Sequence, residues 1–361
     1  MTELLIGFFS GWLTFAGILV LHLVVPARRV KGYVHKDDSS ELLTYRLNGL
    51  PVLALSVVIW FVLGHSGIMP WDWLWQHRWP GALGGCVLGA LVSAVLMFIS
   101  PGQGKTWLAD YYLGRMRNPQ IFNGRTDAKM YLYVAGAALL LLNLLSFGAH
   151  HYLRYPDDPS FGVFLYVLLF TWFICDYMIF ERIHLYTYDL FAERLGFKLI
   201  WGCLAWYPYF YCVGLWGVSD LPNPDAPAWL YLLATVIFFS GWLLARGSNM
   251  QKYYFKQNPQ QKFLGVFEPR TISDGERHVL CSGFWGVSRH VNYLGEILMS
   301  CGLTLALGWP FTLVPWLYPL YYIVFLLPRE RDDDRRCAEK YGPLWDQYRK
   351  QVPWRIVPRV Y

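Results

Sequence analysis

An all-α, multi-pass membrane fold of about ten helices is predicted by three observations on this 361-residue chain: its composition, its hydropathy pattern and its loop charges. Hydrophobic residues make up 55% of the chain and charged residues only 16%, with a mean hydropathy of +0.28. Soluble domains carry roughly 25% charged residues, so a water-soluble globular fold is excluded. Apolar stretches near the roughly 20 residues needed to span a bilayer occur at 4–26, 48–68, 81–101, 129–149, 161–181, 196–217 and 226–246. Weaker ones follow at 287–308 and 311–328. That makes nine, with a tenth if the Gly-rich region near 284 breaks into half-helices.

Residues 1–26 lack the basic start and small-residue cleavage site of a signal peptide and read as a retained first span. Loop charges then set the orientation. Arg28, Arg29 and Lys31 follow span one. Lys105, Arg115, Arg117, Arg125 and Lys129 lie between spans three and four, and Arg246, Lys252, Lys256 and Lys262 follow span seven. The connections 150–160 and 218–225 carry Asp157, Asp158, Asp220 and Asp225 instead. Counting alternately from an outside N-terminus puts every basic loop on the cytoplasmic face. The net charge of +6 therefore reports topology rather than nucleic-acid affinity, and no nucleic-acid partner is expected. Seven cysteines without a CxxC predict neither a disulfide framework nor a zinc site. Aromatics at 18% exceed what interface belts need and suit a pocket for a bulky apolar ligand, alongside ordinary packing between helices. No repeat or linker divides the chain, so 1–361 reads as one domain, with most of its chemistry in the C-terminal third.

Four constellations carry that chemistry. Lys252 and Lys256 in Asn249-Met-Gln-Lys-Tyr-Tyr-Phe-Lys256 share a helical face; they are either phosphate-holding point charges or ordinary cytoplasmic-side lysines. Ser282-Gly-Phe-Trp-Gly-Val-Ser-Arg-His-Val-Asn-Tyr-Leu-Gly-Glu296 brings Trp285, Arg289, His290, Asn292 and Tyr293 into a Gly-punctuated run beside a span. Arg289 and His290 suit phosphate, Trp285 suits a flat ring, and Asn292 suits an amide or ribose. Polar groups at such depth usually face a cavity or ligand. No GxGxxG follows a strand, which excludes a Rossmann-type site. In the tail, Asp333, Cys337 and Tyr341 fall at i, i+4 and i+8 on one side of a helix; they either close over a cofactor or line a solvated amphipathic face. Glu181, Asp189 and Glu193 surround the join of spans five and six, and a continuous helix would align the first two. A buried carboxyl there is a proton-donor candidate; pairing with Arg182 or Arg194 is the alternative.

Together these segments resemble the membrane sterol reductases, the family of C14, C7 and C24 sterol reductases that includes the lamin B receptor. The resemblance runs from about Gly114, with Gly114-Arg115 and Asn118-Pro119 fitting an upstream motif, to the C-terminus. It is most specific in residues 282–295 and in Arg-Cys-Ala-Glu-Lys-Tyr at 336–341. Ala192-Glu-Arg-Leu-Gly-Phe197, Lys256-Gln-Asn-Pro259 and the ending Val-Pro-Trp-Arg-Ile look most like plant-type C14 reductases. The resemblance implies a ten-helix fold, NADPH as cofactor in a pocket open to the cytoplasm, and a lateral pocket for a sterol drawn from the bilayer. It divides the chain into N-terminal spans (1–150), sterol-pocket spans (151–246) and an NADPH-binding part (247–361), in a bacterial inner membrane or the endoplasmic reticulum. Matched position by position, the cofactor contacts fall on Lys252, Lys256, Leu280, Trp285, Asn292, Tyr293, Asp333, Cys337, Tyr341 and Tyr348. Three positions depart: the family's paired acids appear as Glu181-Arg182, its Gly-Asp as Gly202-Cys203, and the Arg before Asp333 as Asp332.

The reaction so implied is reduction of a sterol double bond, C14=C15 foremost, with C24 and C7 as alternatives. An isolated alkene accepts hydride only after protonation, so Glu181 and Asp189 are the acid candidates, and Tyr188 and Tyr293 are candidates to relay a proton or face the cation. Two other readings compete. An isoprenylcysteine-type membrane methyltransferase shares an Arg-His-Pro-x-Tyr-x-Gly run, but position 291 is Val. A catalytically silent sterol-binding scaffold would have lost cofactor residues that are present here.

Overall fold

The computed structural model describes residues 1–36, 39–102 and 106–361; Lys105, counted above among the basic loop residues, lies outside them. It is 66% helical, with three small two-stranded antiparallel ladders. Contacts divide it into two compact units, Met1–Asn223 and Pro224–Tyr361, a boundary that falls within the segment 151–246. Among the described residues five helices are long and apolar enough to cross a membrane: Thr2–Val24, Arg78–Ile99, Ala128–Arg154, Phe161–Ile179 and Ala228–Gln257. Gly49–His65 and Val291–Ala306 are apolar but shorter.

The first unit is built around Ala128–Arg154, whose apolar window is 83% buried, against 22% and 28% for Thr2–Val24 and Arg78–Ile99. Its Leu/Ala/Gly run, from Val134 to Leu144, has no face left for lipid. Asp127 starts the helix by accepting from the N–H groups of Lys129 and Met130 at 3.0 and 3.1 Å. The two outer helices meet through small residues. A Cβ on Gly84 would lie 2.0 Å from the Phe8 carbonyl oxygen, so only glycine allows this approach. Their other faces, Leu13 and Phe98 among them, stay exposed as lipid-facing surface requires.

Two expectations change here. The stretch 196–217 is three pieces: Phe197–Trp201, a π-helical turn Gly202–Phe210 and Val213–Val218. Pro208 cannot donate to the helical ladder, and the widened turn exposes carbonyls that need a partner. Asn143, fully buried, donates to the Pro208 carbonyl at 2.8 Å. Nor do Glu181 and Asp189 share a continuous helix. Phe161–Ile179 stops, and Glu181–His184 and Tyr188–Phe191 are separate turns with Thr187 extended between them (φ −88°, ψ 157°). Lys129 explains the break. Fully buried, its ammonium donates to the carbonyls of Asp189, Leu190 and Glu193 at 3.0, 3.1 and 2.7 Å, pulling that segment onto the central helix.

The second unit centres on the antiparallel pair Ala228–Gln257 and Val291–Ala306. Gly241, Gly295 and Gly302 form the seam: a Cβ on any of them would come within 2.5 to 2.7 Å of the facing backbone. The Gly-rich region near 284 does not form half-helices. It is a single 3₁₀ turn, Gly283–Gly286, and the helix begins at Val291. Leu313–Tyr341 is one helix of 29 residues that runs beyond the apolar stretch through the charged tail, placing Asp333, Cys337 and Tyr341 on helical spacing. Gly342 (φ +55°) ends it, and Pro343 opens Pro343–Gln351.

Candidate functional site

In the second unit the run 282–293 is held from three directions. Gln251 on Ala228–Gln257 clamps the turn, accepting from the Phe284 N–H at 3.0 Å and donating to the Ser282 carbonyl at 3.2 Å. Gly283 (φ +62°) is left-handed and sits so close to this amide that a Cβ would lie 2.3 Å from it. Trp285 donates its indole N–H to the Ser248 carbonyl at 2.9 Å, and the Lys252 ammonium lies 5.0 Å from the Trp285 ring centroid. Tyr348, 1% exposed, donates to the Trp285 carbonyl at 2.8 Å from a cluster containing Val279, Cys281, Leu344, Trp345 and Val352. Cys337 and Tyr341 pack against the same cluster, and Leu280 is buried at the end of His278–Leu280.

Arg289 is occupied by protein. It donates to the Asp334 carboxylate at 2.9 Å with both side chains less than a tenth exposed, and to the Pro353 carbonyl at 3.4 Å. Asp334 also receives the Trp345 indole at 3.0 Å and Arg349 at 2.6 Å. The backbone N–H groups of Arg289 and His290 donate to the carbonyls of Trp354 and Arg355, while Arg355 pairs with the fully buried Glu330 at 3.1 Å. The C-terminal segment thus straps the loop that leads into Val291–Ala306. His290 stacks on Tyr293 at 5.0 Å, and burial holds its imidazole down at about 4, so it is neutral near pH 7.

Four buried polar atoms in this short segment lack a hydrogen-bond partner: Ser288 Oγ, Arg289 Nε, His290 Nε2 and Asn292 Oδ1. Buried polar atoms are normally satisfied; Arg289 is paired with Asp334 and His290 Nε2 lies 3.8 Å from the Glu330 carboxylate, which leaves Ser288 Oγ and Asn292 Oδ1 as candidates to meet a polar ligand. Lys256 and Cys337 each lie within electrostatic reach of Lys252, Lys340 and Asp333. Lysine amines, an indole face and unpartnered polar atoms thus come together here, with burial lowering the Lys256 amine to about 7. Gln251, Asp334 and Arg349 escape a sequence reading. Gln251 stands inside a singled-out run, but an amide beside a lysine carries no signal of its own.

In the first unit Glu181 is 6% exposed, and burial raises its carboxyl to about 7. It forms no ion pair among the described residues. Its Oε2 accepts the Gly49 N–H at 3.0 Å, and its Oε1 has no hydrogen-bond partner. Asp189 and Tyr188 lie in the next short helix, Tyr188–Phe191, tethered through the Asp189 carbonyl to Lys129. The upstream motif supports the same segment. Asn118 donates to the Leu190 carbonyl at 3.1 Å, the Leu195 N–H to the Met116 carbonyl at 2.8 Å, and a Cβ on Gly114 would fall 2.3 Å from the Leu195 backbone.

The first unit thus holds a buried carboxyl without an ion-pair partner among the described residues, and the second gathers lysines, an indole and unpartnered polar atoms, in a chain with five helices long and apolar enough to cross a membrane. Residues 3–361 match the model of the Ergosterol biosynthesis ERG4/ERG24 family, and the chain belongs to that family. It is 33% identical to a Delta(14)-sterol reductase of Arabidopsis thaliana, over 96% of this chain and 94% of that protein. It is 30% identical to a Delta(14)-sterol reductase of Methylotuvimicrobium alcaliphilum, over 98% of this chain and 83% of that one. It is also 30% identical to the Delta(14)-sterol reductase TM7SF2 of Mus musculus, over 96% and 83%.

Proposed function

We propose that this protein reduces a carbon–carbon double bond of a sterol, C14=C15 foremost, with NADPH as reductant, as a step of sterol biosynthesis. Relatives named Delta(14)-sterol reductase at 30% identity or more over nearly the whole chain support the substrate class. The observation that carries the chemistry is Glu181, a carboxyl buried without a counter-ion among the described residues, protonated in good part near pH 7, with one oxygen unpartnered. Lys252 and Lys256 would hold the phosphates of the dinucleotide, Trp285 would face a flat ring, and Ser288, Asn292 and Tyr293 would meet ribose and amide groups. Asp333, Cys337 and Tyr341 would close the other side. Leu280 and Tyr348 would shape the wall, Tyr348 by holding the Trp285 carbonyl. Arg289 becomes a positioning residue that fixes the loop through Asp334.

When bound, NADPH supplies a hydride. Glu181 delivers the proton: its O–H bond breaks, the alkene pair forms a C–H bond at C15, and a tertiary cation is left at C14 for the hydride to quench. Asp189 and Tyr188, set by Lys129, supply negative and π density to steady that cation, and Asp189 is the alternative donor. Gly49–His65, the broken stretch 197–218, Val291–Ala306 and the apolar half of Leu313–Tyr341 add four crossings to the five long spans, close to the ten helices the family resemblance implies. We assign the cofactor surface and the C-terminus to the cytoplasmic face on loop charge. Purified protein incubated with NADPH and a mixture of C14-, C7- and C24-unsaturated sterols should add two hydrogens to the C14-unsaturated sterol, read by mass spectrometry. Reduction of another member alone would move the bond assignment, and reduction of none by protein that binds NADPH would overturn the reading.

A further inference from the structure

The N-terminus of Gly49–His65 is arranged unusually. Asn48 stands at the capping position, a residue type that ordinarily accepts from the first free N–H groups of the helix, yet it makes no side-chain cap. Its amide is turned away, donating to the carbonyls of His22 and Val25 at 3.0 and 3.1 Å. Pro51, two residues into the helix, has no N–H to offer. The Gly49 N–H is left for the Glu181 carboxyl, 132 positions later in sequence, at 3.0 Å.

Gly49 is also the residue that permits this approach. A Cβ there would lie 2.5 Å from Met178 Sδ, 2.7 Å from Glu181 Oε1 and 3.1 Å from its carboxyl carbon. The second oxygen of Glu181, deeply buried and unpartnered, projects from the same carboxyl.

We infer that Gly49 is a positioning residue of the reaction, its N–H and the helix behind it receiving the negative charge that Glu181 acquires when it gives up its proton. This rests on Glu181 being the donor. As the O–H bond breaks and the proton passes to the alkene carbon, the electron pair stays on the carboxylate. One oxygen of that carboxylate already faces a backbone donor at the positive end of a 17-residue helix. Among the described residues no charged side chain assists: burial and this N–H are what act on the group. The arrangement leaves the acid neutral at rest and stabilises its conjugate base, which a salt bridge would not do, since an arginine there would ionise the acid beforehand.

The test compares Gly49→Ala with Glu181→Gln in detergent-solubilised full-length protein. Activity is followed against pH, and NADPH binding and thermal unfolding are measured on the same samples. The methyl of Gly49→Ala forces the carboxyl off the N–H. The expected result is a fall of about tenfold in the plateau kcat, an alkaline limb moved up by about one pH unit, and unchanged NADPH affinity. Loss of kcat with the limb in place means that the methyl acts only by crowding and overturns the inference. If Gly49→Ala does not fold, Glu181→Asp, which draws the carboxyl back by one methylene, should move the limb the same way. A Glu181→Gln protein of wild-type activity would instead remove the proposed donor itself, whatever Gly49→Ala shows.

Discussion

Glu181 and Asp334 are equally hidden, each 6% exposed, and their surroundings are opposite. Asp334 in the second unit takes hydrogen bonds from Arg289, Trp345 and Arg349, so two guanidinium groups match its charge. Glu181 in the first unit has one backbone N–H and, among the described residues, no cation. Burial is common to both; the number of charged donors separates them. A carboxylate with its charge matched becomes a fixed anchor for the 282–290 loop and the C-terminal strap. One left with a single neutral donor stays close to neutrality and can exchange a proton.

Glu181→Gln breaks the comparison most severely. Gln keeps an oxygen for the Gly49 N–H but has no proton to give. Turnover should fall by roughly 10² to 10⁴, with NADPH binding and thermal stability close to wild type. A variant that loses stability in proportion to activity would make Glu181 an anchor like Asp334.

Asp334→Ala should do the reverse. It leaves Arg289 buried without a counter-charge, which costs about 3–5 kcal/mol. Thermal unfolding in detergent should show that loss, together with weakened NADPH binding, before any change in the alkaline limb of the pH profile.

The pH dependence of stability sharpens the same contrast. Glu181 titrates at 4.5 in the unfolded reference and about 7 in the folded protein, so the folded state binds the proton more tightly. Its contribution is present in full below pH 4.5 and is lost as pH rises through 7, a change of roughly 3 kcal/mol. Glu181→Gln should flatten that limb, read from denaturation at a series of pH values. A smaller effect is expected at the proposed phosphate site. Lys252→Ala and Lys256→Ala should each weaken NADPH by about tenfold, with a smaller loss for NADH and less salt dependence than wild type. Equal losses for both nucleotides would place the lysines elsewhere on the cofactor.

Much of the candidate site is visible in the chain because its residue types are out of place beside a span. Lys252, Trp285, Asn292 and Asp333 announce themselves as polar or aromatic groups that lipid does not require. Glu181 is visible as a carboxyl at a span end, but its alignment with Asp189 on a single helix is not what the chain adopts. The break is imposed by Lys129, which the sequence shows only as one more cytoplasmic-side lysine. Arg289 misleads in the other direction: an arginine in such a run suits phosphate, and only its burial against Asp334 reveals that it is already taken.

The sequence by itself determined the membrane class, the long apolar helices, the residues capable of phosphate, ring and proton chemistry, and through its motifs the family. All of these depend on composition and short-range spacing, which are local properties of the chain. Which carboxyl is paired and which stays protonatable, which lysine lies over an indole and which is bound to carbonyls, and why position 49 is glycine were decided only by tertiary structure. Each depends on what packs against the group from residues distant in sequence, because desolvation and hydrogen-bond supply, rather than residue type, set the charge state of a buried side chain.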